Sequence, residues 1–191
     1  MSDLSAEVTE TLATPDPASF ATAPVPALTV DLQGIPGGRH YGFTRPAGAR
    51  ERWYPKGMEM RSGRQLSIVS VEELAMIAAS MDLPHIEPGW IGANILLRSV
   101  PDFTALPCGT RLFFEGGAVL VNEGVNAPCR FAGAGIAAHY PERSGLDLLF
   151  PRVAKNLRGI VASVERAGGI APGPVRLKIP PQKQWPGGPT P

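Results

Sequence analysis

The chain has 191 residues, a length that suits one domain with a sizeable core. A hydrophobic fraction of 43% is ordinary for a globular protein, but 22 Gly and 21 Pro argue against long helices and for short strands with frequent turns. A formal net charge of +1 and no dense basic stripe argue against nucleic acid as a partner, so any anion site must be local and built from a few arginines.

Two cysteines, Cys108 and Cys129, do not make a disulfide framework, and Met1 to Pro24 lacks the basic start and apolar run of a signal peptide. No stretch approaches the roughly 18 apolar residues of a membrane span. These features predict a cytoplasmic protein with reduced thiols and no membrane partner.

Residues 1–25 are rich in Ala, Thr, Pro, Ser and acidic side chains and read as a flexible N-terminal tail. The main domain is expected over 26–180, its ordered part running from Leu28 to Lys178, and 181–191 reads as a Pro/Gly-rich C-terminal tail. Leu28–Leu32 predicts a strand, Gly34–Gly38 a turn and Arg39–Phe43 a short strand. Thr44–Arg64, polar and punctuated by Pro and Gly, predicts a long loop.

Leu66–Ser70 predicts a strand, followed by Ser70-Val-Glu-Glu73, which has the form of a capping box. Leu74, Ile77, Ala78 and Met81 then recur at helical spacing, so a helix is expected over Val71–Met81. Asn94–Arg98, Arg111–Glu115 and Ala118–Asn122 read as strands, the last after a tight turn at Gly116-Gly117. Ala127–His139 predicts a short helix weakened by Gly133 and Gly135, and Leu146–Leu157 a second whose start Pro151 delays. Gly159–Glu165 and Val175–Ile179 predict closing strands around a turn at Gly168-Gly169.

Cys129 follows Asn126-Ala-Pro128. With Asn126 as N-cap and Pro128 in the first turn, the thiol would sit at the positive end of a helix dipole beside Arg130, a setting that favours thiolate. A buried cysteine acting as a small hydrophobe is the open alternative. Cys108, in a turn with no activating neighbour, reads as structural. His40, His85 and His139 show no metal-ligand spacing, no Cys-x-x-Cys is present, and both the P-loop and Gly-x-Gly-x-x-Gly patterns are absent. Arg39, Arg45, Arg64, Arg130 and Arg158 are each read as surface charge unless several converge near Cys129, where they would hold an oxyanion or phosphate.

Taken in order, the motifs resemble the MOSC family, related to the C-terminal domain of molybdenum cofactor sulfurases. They are Gly34-Ile-Pro-Gly-Gly-Arg-His-Tyr-Gly42, the Arg64–Leu74 segment, Gly89-Trp-Ile-Gly-Ala-Asn-Ile95, Leu106-Pro-Cys-Gly-Thr-Arg-Leu112, Asn126-Ala-Pro-Cys-Arg130, Arg158–Val164 and Gly168–Gly173. The resemblance implies a mainly β fold, a closed MOSC-like β-barrel with a few short helices. It implies that Cys129 matches the family's characteristic cysteine, which ligates molybdenum in related reductases of N-hydroxylated compounds and is proposed to carry a persulfide in sulfurases. Asn94 and His40 match residues of two family elements. Gly38 and Pro174 stand where the family commonly has Asp.

Three functions follow as expectations. The first is a molybdenum cofactor (molybdopterin) protein, with Cys129 on the metal, Arg64, Arg158 and Arg130 holding phosphate, and Asn94 and His40 lining the pocket. It would need a small-molecule substrate and, as a reductase, a redox partner, because no iron–sulfur cysteines are present. The second is a sulfur carrier exchanging a Cys129 persulfide with donor or acceptor proteins. The third is a non-catalytic binding module.

Overall fold

The computed structural model describes residues 2–181; most of the expected C-terminal tail lies outside that range. In chain order the elements are β1 (Ser2–Ala13), β2 (Ala23–Val25), β3 (Leu28–Val30), β4 (Thr44–Pro46), β5 (Glu59–Arg61), β6 (Leu66–Ser70), α1 (Val71–Ser80) and β7 (Ile95–Arg98). There follow β8 (Arg111–Phe114), β9 (Val119–Val125), α2 (Arg130–Ala137), α3 (Leu146–Val153), β10 (Ile160–Arg166), β11 (Gly168–Ile170) and β12 (Gly173–Ile179). One sheet runs β12-β8-β9-β10-β6-β7-β1, and β1 pairs back to β12, closing a barrel. Among the described residues only β6 and β7 run parallel within it, joined by α1 as the crossover. The mainly β, closed-barrel expectation is met.

The N-terminal tail is corrected. β1 lies between β12 and β7, with Leu4 opposite Leu177 and Thr11 opposite Ile95, and buries Ala6, Val8 and Leu12. A bulge between Val8 and Glu10 breaks the strand's alternation, and Ser, Thr and Glu fill its outward positions, so the composition resembles a tail. A strand whose backbone is paired on both sides needs few large side chains of its own.

Two cores follow from strand pleating. Ile68 of β6 points into the barrel with Ile95, Leu112, Leu120, Ile160 and Leu177. Val69, its neighbour, faces outward against Ile77, Met81, Ile136 and Phe150 of the three helices. α1 begins where the capping motif places it, with the Glu73 amide donating to Ser70 Oγ at 3.1 Å. The Glu73 carboxylate does not complete the box. It is buried and accepts from the Thr104 amide at 2.8 Å and hydroxyl at 2.6 Å.

Other local expectations shift. Arg39–Phe43 forms turns and bends rather than a strand, and Thr44–Arg64 contains the β4–β5 hairpin. Pro151 sits inside α3 instead of delaying it, and Gly168–Ile170 forms β11, paired with β3. α2 starts at Arg130, so Cys129, not Asn126, is the N-cap. The two glycines that weaken α2 as a helix are there for packing. A Cβ on Gly135 would lie 2.1 Å from the Trp90 carbonyl oxygen, and one on Gly133 would lie 2.6 Å from that of Asp147. Among the described residues no helix is long and apolar enough to cross a membrane.

Candidate functional site

Cys129 is placed by the exit from β9. Pro128 keeps Ala127 extended, and Cys129 itself remains extended at φ −143° and ψ 164° before α2 turns. Asn126, one step past β9, prolongs pairing toward β10 by donating its amide to the Gly159 carbonyl at 2.9 Å. Its side-chain amide donates to Ser67 Oγ at 2.9 Å. These contacts hold the half-buried thiol at the wall of a cavity of about 410 Å³.

Arg39, His40, Arg50, Arg64, Asn126, Cys129 and Arg158 line this cavity, and among the described residues no carboxylate does. Arg64 enters just ahead of β6 and Arg158 just ahead of β10. Arg39 and His40 come from the loop after β3, and Arg50 from the β4–β5 hairpin. Arg158 is 4% exposed and donates to the Ile91 carbonyl at 2.8 Å. Burial lowers its guanidinium to about 10, with Arg50 and Arg64 adding repulsion and Cys129 acting in the opposite sense. Burial likewise lowers Arg64, which also feels Cys129 as a favourable neighbour.

Arg158 is locked from behind. Gly159 has φ +79°, and a Cβ there would lie 2.0 Å from the Ile68 carbonyl oxygen, so the backbone rests directly on β6. The Gly159 amide donates to Thr104 Oγ1 at 2.7 Å, tying it to buried Glu73.

His40 remains reachable by solvent, yet its protein surroundings hold the imidazole down to about 4. Desolvation is the largest cause, followed by the charges of Arg64, Arg39, Arg45 and Arg158. At neutral pH His40 is therefore an uncharged hydrogen-bonding group among guanidiniums.

Of the residues expected at the site, Cys129, Arg64, Arg158 and His40 come together. Arg130 does not: its side chain is 70% exposed and pairs with Asp147 at 2.6 Å, which holds that carboxyl below its usual range. As the first residue of α2, Arg130 points to α3 rather than back to the thiol. Asn94 also stands apart. It is buried, accepts from the Ser67 amide at 3.0 Å and donates to the Leu12 carbonyl at 3.3 Å, stapling β6 to β1. It borders a crevice of about 30 Å³ beside His40. Arg50 escaped sequence reading because it lies in a segment read as loop; its guanidinium donates to the Ala127 carbonyl at 2.8 Å. Cys108, read as structural, is exposed.

Two buried polar atoms at this cavity have no protein partner, Arg158 Nε and Asn126 Oδ1. A buried donor and acceptor left unmade are costly, and together they fit a polar ligand that brings both an acceptor and a donor. Among the described residues no cluster of three His, Cys, Asp or Glu could cage a metal ion. A metal here would take Cys129 as its protein ligand and its remaining donors from a bound ligand.

The MOSC domain pattern matches residues 40–175. The chain belongs to the MOSC domain family. MOSC domains are associated in general with the molybdenum cofactor. A relative from Bacillus subtilis (strain 168), named "Putative metal-sulfur cluster biosynthesis proteins YuaD", is 44% identical over 158 residues, 83% of this chain and 82% of its own. The crystal structure of YuaD from Bacillus subtilis superposes with a TM-score of 0.89 at 40% identity, covering 92% of this chain and 97% of the other. YiiM from Escherichia coli shares the fold at a TM-score of 0.58 and 14% identity, over 93% of this chain and 72% of its own.

Within this MOSC domain, the glycine at position 38 has a local reason. The Gly38 amide donates to the Ile35 carbonyl at 2.9 Å, and a Cβ at position 38 would also lie 2.9 Å from that oxygen. The turn presenting Arg39 and His40 is thus tighter than an Asp would accept without a shift.

Proposed function

We propose that this MOSC protein binds a molybdenum cofactor in the cytoplasm, with Cys129 as the metal's protein ligand and Arg64 and Arg158 holding the cofactor's phosphate. The convergence of a half-buried thiol with unneutralised arginines in one cavity carries this reading. Thiolate sulfur is a soft donor suited to such a metal, and guanidinium pairs bidentately with phosphate. The unpartnered Arg158 Nε and Asn126 Oδ1 offer a donor and an acceptor to the same ligand. When bound, the cofactor supplies two-electron redox chemistry, and reduction of small N-hydroxylated compounds is the activity the family resemblance implies. Arg50 braces the Ala127 carbonyl and so the approach to Cys129. His40 adds a neutral hydrogen-bonding group rather than further charge.

The name of the relative YuaD favours a second reading, in which Cys129 carries sulfur as a persulfide between a donor and an acceptor protein. The same arginines would stabilise a persulfide anion. Metal analysis and intact mass of protein made in a cofactor-competent host separate the two. Molybdenum retained near one per chain, and lost in Cys129→Ser, supports the cofactor reading. A sulfur adduct on Cys129 without metal supports the carrier reading. Neither metal nor adduct rejects both. The serine variant is expected to fold, with a stability change of about 1 kcal/mol or less, because Cys129 is only half-buried.

A further inference from the structure

A second, larger groove of about 770 Å³ opens beside the Cys129 cavity and shares Arg50, Arg64 and Val161 with it. The β4–β5 hairpin forms one wall, and the end of β9 forms the other. Aromatic side chains stand unusually far into solvent around the two openings. Trp53 is 74% exposed and Phe131 78%, while Tyr54 and Val125 are also exposed.

The charge of this groove is one-sided because its acids are already used. Glu51 pairs with Arg45 at 2.6 Å and accepts the Gly48 amide at 2.8 Å; these contacts hold its carboxyl down to about 2. Glu123 is taken by Arg61 and by the Ser163 hydroxyl. Among the described residues no acidic side chain pairs with Arg50, Arg52 or Arg64. A chain of net charge +1 thus concentrates free cations beside exposed Trp and Tyr at the entrance to its reactive thiol.

Trp, Tyr and Arg dominate the energetics of protein interfaces, and an exposed cluster of them marks an interaction surface. The hairpin wall is also pre-organised. The Ala47 amide donates to the Met58 carbonyl at 2.8 Å, and the Gly57 amide to the Ala47 carbonyl at 2.9 Å, so little ordering remains to be done on binding.

We propose that this groove docks an acidic protein partner bearing an apolar anchor, which seats against Trp53 and Tyr54, pairs with Arg52, and so reaches Cys129. The inference rests on Cys129 being the reactive thiol, but not on which chemistry that thiol performs. The partner is acidic because, among the described residues, Arg50, Arg52 and Arg64 have no acidic partner while Glu51 and Glu123 are both paired. It is a protein because the exposed aromatics span both openings, with Trp53 and Tyr54 on the groove and Phe131 on the Cys129 cavity.

The test uses metal-free full-length protein and a fluorescein-labelled decapeptide of Glu and Asp with one central Leu, followed by anisotropy. A Lys decapeptide and adenosine monophosphate are the comparison probes. The acidic peptide should bind, weaken about fivefold or more with Arg52→Glu and about threefold with Trp53→Ala, and dissociate in roughly 0.5 M salt. Both residues lie on the exposed hairpin, so thermal melts of the variants should match the parent. Equal binding of the Lys peptide, or acidic-peptide binding indifferent to both substitutions, would overturn the inference. So would Arg52- and Trp53-dependent binding of adenosine monophosphate without the peptide, which would assign the groove to a phosphorylated small molecule. Molybdenum content, measured separately, bears on the cofactor reading alone.

Discussion

At the scale of single residues, the site depends on charges that lack counter-ions. Arg158 is buried with one guanidinium nitrogen unpartnered, and Arg64 lines the same cavity without an acidic partner among the described residues. Such groups are tolerated where a ligand completes them. His40 makes this measurable. Its protein surroundings hold the imidazole down to about 4, against an ordinary 6.5, so it is neutral at pH 7. A bound anion raises that value, and binding then takes up a proton. Sulfate, whose charge is constant over this range, should therefore bind more tightly as pH falls from about 6.5 toward 4. His40→Asn should flatten that dependence in a calorimetric titration, and a parent profile that is already flat would refute the placement of His40 at the anion. By the same sign rule, the depressed value means the native state resists protonation, so His40 itself removes stability across that window as pH falls. His40 was legible in sequence through its family element. Arg130 was misread because adjacency to Cys129 in sequence says nothing about direction once a helix begins between them.

At the scale of elements, α2 shows how a sequence liability becomes a packing requirement. Its glycines lower helix propensity, yet each faces a backbone carbonyl too close for a methyl group. In an exposed helix Gly→Ala gains about 1 kcal/mol. Gly135→Ala here is expected to destabilise by about 1–3 kcal/mol, since α2 must shift away from Trp90. Denaturant unfolding reads the sign directly, and a stabilised variant would show that α2 is not pressed against that turn. The shift should also disturb Cys129, which caps the helix. The boundary of α2 was misplaced for a related reason: Asn126 is a good capping residue, but its backbone is drawn into pairing with Gly159 and its side chain to Ser67.

At the scale of the whole molecule, closure of the barrel runs through a segment that composition describes as a tail. β1 bridges β12 and β7, and without it both become open edges beside a core that includes Ala6 and Val8. Deleting residues 2–13 should therefore abolish cooperative thermal unfolding or drive aggregation, as circular dichroism and light scattering would show. A truncated protein that melts like the parent would contradict the closure.

The sequence alone determined the strand-rich class, α1 with its cap, and the ordered motifs that identify the family, because these depend on local periodicity, turn chemistry and residue order. It also singled out Cys129, through Pro128 and the family pattern. Tertiary structure decided which arginines share a space with that thiol. Arg50 joined from a hairpin about eighty residues away along the chain, while Arg130, its immediate neighbour, turned toward Asp147. It also decided that β1 is part of the barrel, since its pairing partners, β12 and β7, lie far away along the chain. Long-range pairing and side-chain direction are set by the closed barrel, and neither is written in local sequence.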